Sequence, residues 1–212
     1  MGGSGSAMSD SERSTVIERD EARYEAAPIV LGVAGLQVLL ALVSRSEGWD
    51  LWVLPWWSWF VLVVPEVLLI VMLLRGNDPR ELKLVGIIFF LNLVALVMLI
   101  GSILEGHEDD GKQLLLKGVT VWATDVVTFC LVYWQIDRVD DEVFQWPSRQ
   151  EDPKWDPHFF DYFYVSFTNS IAFSPTDAMP LTRRTKLLMF IESSVSAVAI
   201  LLVAARAVNI IK

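Results

Sequence analysis

Residues 159–179 read FFDYFYVSFTNSIAFSPTDAM. Phe159 to Phe167 form an aromatic run suited to a short helix. Thr168, Asn169 and Ser170 then turn it polar, and Ser174, Pro175, Thr176 and Asp177 break it. A helix needs about 20 mostly apolar residues to cross a hydrocarbon core about 30 Å thick. This run is too short, and its end too polar, for a span facing lipid. Non-helical backbone persists at membrane depth only when buried in protein or lining a wet cavity. A short helix, a polar irregular stretch and then a full-length helix therefore predict a re-entrant hairpin.

The flanking sequence supplies the membrane context. Windows at 28–44, 51–74, 82–104, 114–136 and 187–210 are each long and apolar, and 53% of all residues are hydrophobic. Every backbone N–H and C=O in lipid must find its partner within the segment, so these windows predict helices. None has the ten-residue alternation of an outer-membrane barrel. The expected fold is all-α integral membrane, with five transmembrane helices plus a re-entrant pore-helix hairpin. Six spans is the alternative, if 159–179 crosses fully.

The remaining segments punctuate this pattern. Met1 to Ala7 (MGGSGSA) reads as a tag remnant ahead of a start at Met8. Residues 8–27 are a polar N-terminal segment, amphipathic at the surface or disordered, with no signal-peptide pattern. Pro28 is expected to open the first span. Residues 28–112 make a three-helix region and 113–212 the remainder. Trp49, Trp52, Trp56, Trp57 and Trp59 read as an interfacial aromatic belt, with a cation-binding aromatic cage as the alternative. Pro55 and Pro65 lie in or beside the second window and are candidates for a kink. The stretch from Asp137 to Pro157 is the longest polar connection.

The pattern around 159–182 resembles the pore region of the potassium-channel superfamily. Tyr164 to Ile171 would be the pore helix, Ala172-Phe-Ser-Pro-Thr-Asp177 the filter, and the inner helix would start near Lys186. Asp177, Pro180 and Thr182 fall in that family's register, and the window at 114–136 would be the outer helix. The likeness covers the chain from Val119 onward. Ser174 and Thr176 replace the two filter glycines, whose backbone angles side chains oppose. Pro175 replaces the filter tyrosine and has no N–H. The resemblance thus implies a channel-like protein with weakly selective or regulated cation conduction. It also implies a homo-oligomer, a tetramer being favoured, since one hairpin cannot encircle an ion. The pore candidates are Thr168, Asn169, Ser170, Ala172, Phe173, Ser174, Pro175, Thr176 and Asp177.

Charge sets an orientation. Short loops rich in Lys and Arg stay cytoplasmic, which puts Arg75, Arg80, Lys83, Arg138, Arg149 and Lys154 inside and the acidic 105–112 loop outside. The fourth helix then runs outward to inward, opposite to the outer helix of that family. Either the hairpin enters from the cytoplasmic face or 159–179 crosses fully.

Ionisable groups within spans cost about 2.5–3.5 kcal/mol each at the helix centre and are functional suspects. Glu66, Asp125 and Glu192, with the neutral Asn92, are the pathway candidates, and acids without a buried counter-lysine favour cations or protons. Hydrogen-bonded packing between helices is the structural alternative. Ser193, Ser194, Ser196 and Ala197 make a small-residue face beside Glu192.

Other classes find little support. The net charge of −9 and the lack of a basic stripe oppose a nucleic-acid partner. There is no Ser/His/Asp set and no phosphate loop, so no enzyme and no cofactor is expected. His107 with Glu108 and Asp109 is one histidine in an acidic loop, and no metal is expected. The lone Cys130 reads as a small buried hydrophobe. A multi-pass protein of the cell membrane is expected, with the lipid bilayer and monovalent cations as partners. A non-conducting scaffold or accessory subunit, or a small proton-coupled transporter, are the competing functions.

Overall fold

The computed structural model describes residues 10–50, 54–75, 81–105, 111–139, 143–152, 155–171 and 178–210. It is mostly helical. In order come α1 (Asp10–Glu47), a 3-10 turn (Trp56–Ser58), α2 (Trp59–Arg75), α3 (Glu81–Leu104) and α4 (Gly111–Val139). There follow β1 (Phe144–Gln145), α5 (Pro147–Glu151), α6 (Phe159–Ser170), β2 (Met179–Pro180) and α7 (Arg183–Ile210). Among the described residues four stretches are long and apolar enough to cross a membrane: Tyr24–Glu47, Trp56–Arg75, Lys83–Leu104 and Gly111–Val139. They answer to the first four windows and are compatible with a multi-pass membrane protein. The fifth window lies within α7, which carries Glu192 and its serines and is not among the four.

The short connections force successive long helices to run antiparallel. α4 is the hub, packing against α1, α3, α6 and α7. Its Thr120, Thr124 and Thr128 hydroxyls each donate to the carbonyl four residues earlier, at 2.7, 2.9 and 2.6 Å. That back-bonding satisfies a polar stripe without outside help. The core has two parts. One gathers Val30, Leu73, Val85, Phe129 and Phe159; the other gathers Leu40, Trp59, Leu96, Val121 and Ala199.

Several expectations need correction. α1 runs unbroken from Asp10 through Pro28, so the proline sits inside the helix rather than opening a span. Its ring carries no N–H for the carbonyl one turn back, at Tyr24. Trp59 is fully buried in the core and not part of a belt, whereas Trp57 is exposed. The Arg45 guanidinium lies 5.4 Å from the Trp56 ring centroid, an intramolecular cation–π contact. Pro65 is within α2 and Pro55 precedes the 3-10 turn. Cys130 is free and buried, as expected. Trp52 and the His107, Glu108 and Asp109 loop lie outside the described residues.

The polar connection after α4 is a packed cap. Trp146 meets Tyr162 edge to face and Trp155 at a tilt, with centroids 5.2 and 5.9 Å apart. Phe144 packs against Tyr133 at 5.5 Å. The Tyr162 hydroxyl and Trp146 Nε1 both donate to Asp137 Oδ2, at 2.6 and 3.3 Å. Buried aromatics hidden among charges produce this packing, and a polarity reading misses it.

Candidate functional site

α6 descends from the cap alongside α4 in the opposite direction. Its first residue, Phe159, meets the Trp134 ring at 5.4 Å. A turn later Tyr162 reaches Asp137, Ser166 Oγ donates to the Val126 carbonyl at 2.7 Å, and Ser170 Oγ accepts from Trp122 Nε1 at 3.2 Å. Acids hold its start: Asp161 Oδ2 accepts the His158 N–H at 2.7 Å, and Glu25 Oε2 accepts the Phe159 N–H at 3.1 Å. Negative charge is favoured at this helix end. The helix starts at Phe159, where the aromatic run predicts it, and takes in Tyr164 to Ser170, with Ile171 as its C-cap.

By Met179 the chain is back beside the cap: β2 pairs antiparallel with β1, Phe144 opposite Pro180 and Gln145 opposite Met179. α7 follows at once, starting at Arg183 rather than near Lys186. Thr182 Oγ1 accepts the Thr185 N–H at 3.1 Å and supplies its N-cap. α7 then runs antiparallel to α4.

Polar side chains from two helices, α4 and α6, converge on Glu192, near the middle of α7. The Tyr133 hydroxyl donates to Oε2 at 2.6 Å and Asn169 Nδ2 to the same oxygen at 2.5 Å. Ser166 Oγ hydrogen-bonds Oε1. Glu192 is fully buried. Asn169 is itself held, donating to the Met189 carbonyl at 2.9 Å and accepting from Ser193 Oγ at 3.0 Å. One turn along α7, Ser196 Oγ donates to Asp125 Oδ2 at 3.0 Å.

A second polar group lies across α4. Gln37 Nε2 donates to Glu66 Oε1 at 2.7 Å and to Thr124 Oγ1 at 3.1 Å. Thr124 and Asp125 are consecutive, so their side chains leave α4 about 100° apart and face different helices. Glu66 Oε2, Gln37 Oε1 and Asp125 Oδ1 are buried with no hydrogen-bond partner.

Of the residues singled out from sequence, Asn169, Asp125 and Glu192 come together, and Glu66 connects through Gln37 and Thr124. Asn92 Nδ2 donates to the Val121 carbonyl at 3.2 Å and ties α3 to α4 instead. Thr168 bonds back to the Tyr164 carbonyl at 2.7 Å. Ala172, Phe173, Ser174, Pro175, Thr176 and Asp177 lie outside the described residues. Of the small-residue face, Ser193 and Ser196 turn inward while Ser194 is exposed and bonds back to the Phe190 carbonyl at 2.7 Å.

Sequence reasoning missed Tyr133, Ser166, Gln37 and Thr124. The i, i+3 spacing of Ser166 and Asn169 on a short helix was the available signal for one pair. Electrostatically, the arrangement sets the Glu192 carboxyl beside the C-terminal end of α6, the negative end of its dipole, with Asp125 bonded one turn farther along α7. Such a place favours a cation or a proton over an anion. No family model, curated protein or solved structure matches this chain.

Proposed function

We propose that this chain is a multi-pass protein of the cell membrane that passes monovalent cations along a path built around a re-entrant half-helix. In this reading α1 to α4 and α7 are five spans and α6 is the inward limb of the hairpin. With 12 residues, α6 is about 18 Å long, little more than half of a hydrocarbon core about 30 Å thick. The β1–β2 ladder supports a hairpin over a sixth span, because the chain leaves the cap at Phe159 and is beside it again at Met179. Arg183, Arg184 and Lys186 join Arg75, Arg138 and Arg149 on the face of that cap, which supports a cytoplasmic location for it. The hairpin then enters from the cytoplasm, and the direction of α4 ceases to conflict with a pore loop.

The observation that carries the reading is the convergence of Tyr133, Ser166 and Asn169 on Glu192 at the end of the half-helix. Half-helix ends and buried acids near the bilayer midplane are the parts from which membrane proteins build cation sites. A ring of copies, four in the family resembled above, would complete a pore from the 172–177 segments.

A second reading, a small proton-coupled transporter, draws on a different fact. Asn169 bonds Glu192, and Ser196 one turn along α7 bonds Asp125, all inside a single chain, which needs no ring. Planar-bilayer recording of the purified protein under potassium, sodium and proton gradients tests both. Cation current that falls in Glu192→Gln is the expected result. Solute-dependent proton uptake without current would favour the transporter, and intact protein silent in both assays would leave only the scaffold.

A further inference from the structure

Where α4 ends and α7 begins, the surface holds a cavity of about 470 Å³. Its floor is apolar, formed by Ile136, Val143 and Leu188, and its rim carries Thr182, Arg183 and Arg184. Arg183, Arg184 and Lys186 are all exposed. Cations crowded into a first turn oppose the positive end of the helix dipole, and Arg183 and Lys186, three apart, repel each other. Among the described residues no ion pair relieves either arginine; on this face Arg149 pairs with Asp156 at 2.7 Å and His158 Nδ1 lies 3.4 Å from Glu25 Oε1. The helix start is already capped by Thr182, whose hydroxyl lies 2.7 Å from that of Thr185. Local stability therefore gives no reason for the two arginines.

The geometry points to a binding site for an anionic phospholipid, with an acyl chain on Ile136, Val143 and Leu188 and the phosphate between Arg183 and Arg184. Charge complementarity selects this occupant. Basic pockets between membrane helices hold acidic head groups, and the guanidinium fork matches a phosphate with two parallel hydrogen bonds. A free phosphate would use the rim and leave the apolar floor wet. The inference rests on the membrane reading alone, and it stands or falls independently of cation movement because it is read with no gradient.

The test titrates the full chain in detergent with phosphatidylglycerol and with phosphatidylcholine of the same acyl chains, and counts bound lipid by native mass spectrometry. Phosphatidylglycerol is expected to bind more tightly, by about fivefold for each arginine. The preference should vanish in Arg183→Gln/Arg184→Gln. It should persist in Arg75→Gln/Lys83→Gln, which removes equal charge from the same face away from the cavity. Millimolar inorganic phosphate should not displace the lipid. Three results would overturn the site. One is equal binding of the two lipids. The others are equal loss in both double variants, which means diffuse surface attraction, and displacement by phosphate alone.

Discussion

Asn169, in the last turn of α6, donates its side-chain amide to Glu192, near the middle of α7, at 2.5 Å. The bond fastens the inner end of a short helix to a long one, and Ser193 locks the amide from its other side.

Replacing Asn169 by Leu keeps the volume and removes every one of these bonds. An unsatisfied buried partner costs about 1–3 kcal/mol. The variant should melt several degrees lower than the parent in detergent. An unchanged Tm would mean that the end of α6 is held by something else.

Glu192→Gln can keep its amide oxygen facing Tyr133 and Asn169 and turn its NH2 to Ser166 Oγ, whose own proton goes to the Val126 carbonyl. No donor then faces another, so the change should destabilise less than Tyr133→Phe, which removes a bond outright. If the carboxylate also attracts the transported cation, its loss weakens that attraction at an effective dielectric near 20 by enough to cut flux about tenfold or more. A larger loss of stability in Glu192→Gln than in Tyr133→Phe, read by thermal unfolding, would contradict this arrangement of donors.

A Cβ on Gly118 would fall 2.2 Å from Val203 Cγ2, so the glycine lets α7 close on α4. Gly118→Ala should cost about 1–3 kcal/mol by overpacking. In a Val203→Ala background the same change should turn neutral or stabilising, since alanine is the better helix former by about 1 kcal/mol. A double-mutant cycle reads the coupling, and additivity would argue that the helices do not meet there.

Gln37 and Glu66 separate structure from function. Gln37→Ala strands the Glu66 carboxyl and should destabilise by about 1–3 kcal/mol, whereas Gln37→Leu/Glu66→Leu removes both partners and should be nearly neutral. If the pair is packing alone, the double variant keeps full cation flux. If Glu66 belongs to the path, the double variant folds normally and conducts less.

Much of the fold was legible because insertion into lipid leaves so few options. An apolar window such as 82–104 can only be a helix, and the change from Phe167 to Thr168-Asn169-Ser170 already marked a short helix with a polar end. Glu66, Asp125 and Glu192 stood out because a buried acid is costly. Their partners did not. Ser166, Thr124 and Tyr133 belong to types that sit in many helices unremarked, and only the rotation and crossing of α4, α6 and α7 decide which of them face an acid. Phe144 and Trp146 went unrecognised as core because charged neighbours lowered the apparent hydrophobicity of their segment. Trp59 misled in the opposite direction, since the residue type favours an interface while the packing of α1, α2 and α3 buries it.

The centrality of α4 bears on how the chain is made. Its mean hydropathy is 1.6, against 2.3, 2.3 and 2.8 for the other three candidate spans, while 67% of its apolar stretch is buried inside the protein, against 33% to 39% for theirs. It carries Asp125 and Lys117, and the lysine finds the Asp50 carbonyl at 2.6 Å only because the segment after α1 lies beside it. A ribosome releasing this sequence would deliver the least oily of these four candidate spans after three oilier ones. Those earlier helices serve as a receptive wall for a segment that lipid alone would accept poorly, and its last polar partners arrive only with the final helix.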